Sequence, residues 1–333
     1  MKYETSRSCN AALLTAVVLT GAAAGALPFK AQAAEAYPQR AIRLIVPYPP
    51  GGAGDIIGRI LAARLGEAVR QQVVADNRPG GGQVIATQLT ARANPDGYTL
   101  LLASTTHAIN PGLLKKLPYD SIRDFSAITL VADSPLLFLA HPALGVASIQ
   151  ELVATAKSRP GRINYASSGP GTGGHLSVEL LKRMTGIDLV HIPYKGAGPA
   201  LVDLISGQVQ VMCTSPLPSL PHVRAGRLKG LAMTGRTRSN AAPEIPTVAE
   251  SGVPGYESTL WYALLAPAGT PLPVLRRLHA ETVRAVKLPE VVEQLSALGA
   301  QPIGNTPQEV TKFLQSEIAR WTRLIEQANI RAD

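Results

Sequence analysis

Cysteine is nearly absent: the 333 residues hold only Cys9 and Cys213, so no disulfide framework is available. Neither C-x-x-C nor H-E-x-x-H occurs, and the commonest zinc and thioredoxin-like sites therefore have no residues to build them. The phosphate loop G-x-x-x-x-G-K-[ST] and the nucleophile elbow G-x-S-x-G are missing as well. Charge is sparse at 17% while 46% of the chain is hydrophobic, a balance that favours buried cores over disorder. Beyond the N-terminus no stretch approaches the ~20 apolar residues of a membrane helix. At roughly 100–200 residues per domain, the length predicts two lobes.

What charge there is leans basic, with 32 Lys and Arg against 23 Asp and Glu for a net +9. The cations are dispersed: no run of five occurs, and no basic stripe interleaves with aromatics. That reads as a solvated surface whose field mildly favours small anions, and no nucleic-acid partner is expected. Lys2 and Arg7 precede the uncharged run Ala11–Phe29, and Ala31-Gln32-Ala33 follows as a small-x-small site. This is the pattern of a cleaved secretory signal peptide over residues 1–33, so the mature protein is expected to be exported. Cys9 lies ahead of the apolar run, where a lipoprotein cysteine would lie behind it. Cleavage leaves Cys213 alone and no internal disulfide.

Along the mature chain short apolar runs alternate with helical patterns, the mark of parallel α/β architecture. Ile42–Val46 reads as a strand, ended by Pro47-Tyr48-Pro49-Pro50-Gly51-Gly52-Ala53-Gly54, with a helix from about Asp55. Gln72–Ala75 is a second strand, followed by Gly80-Gly81-Gly82, a helix through Val84, Ile85 and Leu89, and a strand at Tyr98–Ala103. A second unit repeats the order. Ile163–Ala166 is a strand, Ser167–Gly174 a glycine-rich loop, and Leu176, Leu180, Leu181 and Met184 share one helix face. Leu189–Ile192 and Gln208–Cys213 are its further strands, with the turn Tyr194-Lys195-Gly196 between them. Leu136–Ala140 and Leu260–Leu265 belong to neither unit and are expected where the chain leaves lobe I and returns. Lobe I is then discontinuous, 34–140 and 256–333, completed by helices at Pro273–Val286, Pro289–Leu298 and Pro307–Asn329. Lobe II spans 141–255. Two such crossovers would let the lobes close around a ligand.

Both units place a glycine-rich loop between a strand and a helix N-terminus. Glycines admit close approach to backbone N–H groups, and the helix end carries about half a positive charge, so each loop suits a phosphate or carboxylate. Open α/β sheets bind ligands at this end of their strands. Gly169-Pro170-Gly171-Thr172-Gly173-Gly174 formally matches G-x-G-x-x-G, but Asp188 precedes its strand, whereas a ribose-binding acid ends one. Ser167, Ser168 and His175 lie close without a third orienting group, which makes a poor hydrolase signature. The alternative to a receptor is nevertheless an exported hydrolase on the same fold, using His107 or His175 as base.

Several segments together resemble the Bug receptors, periplasmic substrate-binding proteins of the tripartite tricarboxylate transporter type. They are Pro47–Asp55, Asn77-Arg78-Pro79-Gly80, Asn94-Pro95-Asp96-Gly97-Tyr98, Leu117-Pro118-Tyr119-Asp120, Ser167–Thr172, Pro193-Tyr194-Lys195-Gly196, Pro246–Glu250, Pro254-Gly255-Tyr256 and Ala266–Pro271. The likeness runs in order over nearly the whole mature chain. It implies an α/β, two-lobed Venus-flytrap binding protein, each lobe a mixed, mostly parallel sheet flanked by helices, with no catalysis and no cofactor. It also implies a small carboxylate ligand, a monomer, and membrane transporter subunits or a sensor as partner. In the family, one strand–helix loop of each lobe grips the carboxylate. Carried over, the lobe I arm holds Tyr48, Gly52, Gly54 and Asp55, and the lobe II arm holds Ser167, Ser168, Gly171, Thr172 and His175. The remaining walls would be Ser104, Thr105 and His107, then Tyr194 and Lys195, then Thr214. Two departures stand out: Cys213-Thr214 where many relatives carry Phe-Asp, and Gly54 where many carry Thr or Ser.

Of these segments only Tyr48–Asp55 contains a carboxylate, and an acid at a helix start usually accepts backbone N–H bonds. An amino acid's ammonium would then lack a charged partner and depend on backbone carbonyls, and left unpaired it would cost several kcal/mol. A di- or tricarboxylate, or an aromatic carboxylate, is the expected ligand. Bulky residues at Gly52 or Gly171 are expected to block it while leaving the fold intact.

Overall fold

The computed structural model describes residues 37–331, so the expected signal peptide, residues 1–33, lies outside the described residues. Val, Ile and Leu dominate the first strand, β1 (Ile42–Val46), where Leu44, Ile45 and Val46 are fully buried, as a strand covered on both faces requires. It leads into α1 (Ala53–Val69), β2 (Val73–Asn77), α2 (Val84–Ala91), β3 (Thr99–Ser104) and α3 (Thr105–Leu113). The long β4 (Phe125–Pro135) runs almost directly into β5 (Leu137–Ala140), followed by α4 (Ile149–Ser158). Next come β6 (Asn164–Ser167), α5 (Gly173–Thr185), β7 (Val190–Pro193), α6 (Ala197–Ile205), β8 (Val211–Thr214), α7 (Pro216–Arg224) and β9 (Lys229–Met233). β10 (Thr259–Pro267), α8 (Leu272–Val286), α9 (Pro289–Ala297), the two-residue β11 (Gln301–Pro302) and α10 (Pro307–Gln327) complete the chain.

These strands form two sheets, β11-β4-β10-β3-β1-β2 and β7-β6-β8-β5-β9. Each contains the same parallel trio, β2-β1-β3 in one and β7-β6-β8 in the other, which is the likeness of the two sequence units made physical. Helices leave each trio on opposite faces: Ile57 and Leu61 of α1 enter one core, Ala86 of α2 another. The second sheet divides likewise, with Val178 of α5 and Leu204 of α6 in separate cores.

Two expectations need correction. The sheets are mixed but not mostly parallel, because β10 pairs antiparallel with both β3 and β4, β11 with β4, and β5 with both β8 and β9. Strands that arrive by direct crossover from the other sheet, without a returning helix, enter antiparallel. The lobe boundary also moves. Leu137–Ala140 lies inside the second sheet, so the chain changes sheets at Leu136 rather than after 140. Leu260–Leu265 is the interior of β10 in the first sheet, and the return comes just before it.

The two crossings are tied together by one buried residue. Leu136 N–H donates to Thr234 Oγ1 at 2.7 Å, Thr234 N–H to the Leu136 carbonyl at 2.8 Å, and Ser258 N–H to the Thr234 carbonyl at 2.9 Å. Beside them, Leu176 of α5 shares a core with Trp261, Leu314 and Trp321 of the other lobe. Glu317 is 6% exposed and accepts both indole N–H groups, Trp261 at 3.0 Å and Trp321 at 2.9 Å, with Arg320 at 2.9 Å on its other oxygen. A buried carboxylate is tolerable when its acceptor sites are filled in this way.

Candidate functional site

A parallel trio whose connecting helices diverge to opposite faces leaves a crevice at the carboxyl ends of its strands. Here that happens twice, beyond β1 and β3 in one sheet and beyond β6 and β8 in the other. α1, α3, α5, α6 and α7 all begin at these ends, and none has a side-chain N-cap. α4 and α10 are capped by Ser148 and Thr306, whereas α2, α8 and α9 also start without a side-chain cap, so what sets the five apart is their place at the strand ends. Among the described residues the N–H groups of Gly52, Ala53 and Gly54 in α1 find no protein acceptor, and in α5 those of Gly173 and Gly174 find none. Unsatisfied N–H groups and the helix dipole together make each a seat for an anionic oxygen.

The lobe I arm is braced from within. Asp55, 3% exposed, accepts from Gly51 N–H at 2.9 Å, Arg59 Nε at 3.0 Å and Asn77 Nδ2 at 2.7 Å. Burial alone would raise its pKa, but these hydrogen bonds and the Arg59 charge hold the carboxyl below the usual range. The carboxylate is thus spent on the loop. Asn77 also donates to the Tyr48 carbonyl at 2.9 Å. The Tyr48 ring lies across Gly54, where an added Cβ would overlap it, which accounts for glycine at this position. Burial pushes the Tyr48 hydroxyl up, tempered by its polar neighbours Ser104, Gln83 and Tyr262.

The lobe II arm is held by histidines. His175, 4% exposed, accepts Gly171 N–H on Nδ1 at 3.0 Å. Its ring stacks on His191, centroids 3.9 Å apart and planes 9° apart, and His191 stacks in turn on Tyr165. His191 Nε2 meets the buried Ser167 hydroxyl at 2.7 Å, and Thr172 Oγ1 donates to the Gly169 carbonyl at 2.8 Å. Burial, then the neighbouring His191 and Lys182, depress His175 to about 3, so the imidazole stays neutral. Gly171 has φ +70° and presses on Leu113 of α3, bringing the arm against the other lobe. Gly174 packs so closely on the Cys213 carbonyl that a Cβ would overlap it. Gly174→Ala is therefore expected to push α5 off β8 and lower stability by about 1–3 kcal/mol, read as a fall in Tm.

The expected walls divide. Ser104, 3% exposed, donates to Gln83 Oε1 at 2.8 Å at the mouth of β3. Thr105 is used up against β10, accepting Trp261 N–H at 2.9 Å. His107 is not brought to the crevice: its Nε2 meets the Ser121 carbonyl at 2.8 Å, and its ring packs on Tyr119 and Phe125. Burial depresses it to about 4. Tyr194 donates its hydroxyl to Asp203 at 2.7 Å; burial and that contact push it up to about 12. Lys195 is exposed without an ion pair among the described residues, Ser168 is half-buried, and Thr214 ends β8 beside Leu137. Sequence reasoning did not include Gln83, Asn77 or His191, which shape the arms.

Two similar lobes, joined by paired crossings and each offering uncapped helix N-termini at its strand ends, define a solute-binding receptor of the Venus-flytrap class. Residues 57–330 match the family model described as "Tripartite tricarboxylate transporter family receptor", and the chain belongs to that family of periplasmic solute-binding receptors. It is 38% identical over 300 residues to Protein BugT of Bordetella pertussis strain Tohama I, covering 90% of this chain and 92% of that one. A Rhodopseudomonas palustris structure with adipate shares 36% identity at a TM-score of 0.77, covering 89% of this chain and 99% of that one. MatC from the same organism, with bound malate, shares 32% at a TM-score of 0.73, covering 87% and 100%.

Proposed function

We propose that the chain is exported, loses residues 1–33, and binds a small di- or tricarboxylate between its lobes for delivery to a membrane transporter. The observation that carries this reading is the pair of uncapped N-termini at the strand ends, α1 and α5, whose N–H groups Gly52–Gly54 and Gly173–Gly174 lack protein acceptors among the described residues. Since the Asp55 carboxylate is filled by Gly51, Arg59 and Asn77, that arm has no free carboxylate to pair an ammonium. The similar proteins solved with adipate and malate point to the same ligand class. A hydrolytic role finds no support: His107 and His175 are both committed to internal contacts, and Ser167, beside His191, is fully buried.

Calorimetry with succinate, malate, adipate, citrate and benzoate against aspartate and glutamate tests the reading. Binding of one or more of the acids without turnover is expected; tight binding of an amino acid alone would overturn it. Intact mass of periplasmic material should begin at Ala34.

A further inference from the structure

Residues 80 to 83 hold positive φ in an unbroken run, +115° at Gly80, +56° at Gly81, +59° at Gly82 and +70° at Gln83. Glycine adopts such angles freely, whereas a residue with a side chain is strained there. The turn is pinned on both sides. Gln83 N–H donates to the Gly80 carbonyl at 3.0 Å, Thr87 Oγ1 to the Gln83 carbonyl at 2.9 Å, and Asn110 Nδ2 to the Gly82 carbonyl at 2.9 Å. A glycine would complete this turn without strain, so the backbone gives no reason for glutamine.

The side chain supplies one. Its Oε1 takes the Ser104 hydroxyl proton at 2.8 Å, which fixes the amide's orientation. Nε2 then lies beside the Tyr48 hydroxyl, toward which it turns one N–H, and among the described residues the other N–H meets no protein acceptor. Gln83 is half-buried, Ser104 ends β3, and Tyr48 follows β1, so the amide stands at the crevice of the first sheet beside the start of α1. A held amide with one N–H left over attracts an acceptor oxygen and offers nothing to an ammonium.

We infer that Gln83 is a specificity residue whose Nε2 donates to a second oxygen-bearing group of the ligand, a distal carboxylate, beyond the one seated on the helix N-termini. The inference rests on the carboxylate-receptor reading above and adds a contact that selects a ligand with two acceptor ends.

Two variants test it by calorimetry with malate, adipate and benzoate. Gln83→Glu keeps the length and an oxygen for Ser104 but replaces the N–H groups with a negative oxygen. It should weaken dicarboxylate binding at least about tenfold and benzoate binding less. Gln83→Asn suits a left-handed backbone and falls one carbon short; it should stay folded by circular dichroism and lose roughly threefold to tenfold for the dicarboxylate only. Wild-type dicarboxylate affinity in both variants, or equal losses for dicarboxylate and benzoate, would overturn the inference while leaving the receptor reading intact. A wild-type protein that binds neither malate nor adipate would remove the inference, and one that binds no carboxylate at all would remove the receptor reading as well.

Discussion

Gly52→Val is expected to abolish ligand-induced thermal stabilisation without unfolding the free protein. Gly52 sits at φ −82° and ψ 166°, extended backbone open to any residue, and a Cβ built there meets nothing within 4 Å. The valine methyls would instead fill the space before the unpaired N–H groups of Gly52–Gly54, where the carboxylate is proposed to sit. Ligand at ~100 times its Kd stabilises by about 2.7 kcal/mol, which for a protein of this size is at least several degrees in Tm. The variant should show none of this, with an unliganded Tm close to wild type. A preserved shift would mean that the ligand does not approach the start of α1. Gly171 cannot serve as the matching test, contrary to the expectation from sequence. Its φ of +70° strains any side chain, and its Cβ would run into Leu113.

Acid should be the other large perturbation. His175 and His107 are buried neutral, at about 3 and about 4, against 6.5 in an unfolded chain. Between those values the unfolded state binds protons that the native state excludes, so stability present above pH 6.5 is lost as pH falls. At 1.36 kcal/mol per unit the full shifts correspond to about 5 kcal/mol for His175 and about 3 kcal/mol for His107. Down to pH 4 about 3 kcal/mol of each is realised, a substantial share of a total stability that is typically ~5–15 kcal/mol. Asp133 opposes this in part: burial and the Glu257 charge raise it to about 6, and protonating it favours the native state over the same window. Asp55 and Asp120, both depressed, contribute losses only at lower pH. Urea midpoints at pH 7 and 4 measure the effect. His175→Asn, which offers Gly171 N–H an oxygen and does not ionise, should remove about half of the loss. A flat pH profile would contradict the neutral burial of these rings.

The paired α/β units were legible because their strands are uninterrupted apolar runs and their loops are glycine-marked. α3 was not, since Thr105–Leu113 carries Pro111 and Gly112 and no strong apolar spacing. Without that helix, the family resemblance alone placed Ser104, Thr105 and His107 together in the pocket wall. In fact each helical residue turns about 100° from the last, which sends His107 into the packing beneath. The sheet assignment of Leu137–Ala140 depends on β8 and β9, partners more than seventy residues away in sequence, and nothing local encodes it. At the site, the competition for Asp55 was foreseeable from its place at a helix start. The Gly80–Gly82 run was visible too, but the left-handed Gln83 that follows became evident only once Ser104 and Tyr48 were placed around it.

The chain has only two tryptophans, and Trp261 and Trp321 both give their indole N–H to the one carboxylate of Glu317. They share their core with Leu176 of the opposite lobe. All of the protein's indole emission therefore originates at the junction between lobes, next to the Glu317 carboxylate. Any rotation of one lobe against the other changes the surroundings of both fluorophores at once. The molecule carries its own optical gauge of closure, readable in a stopped-flow instrument without a label.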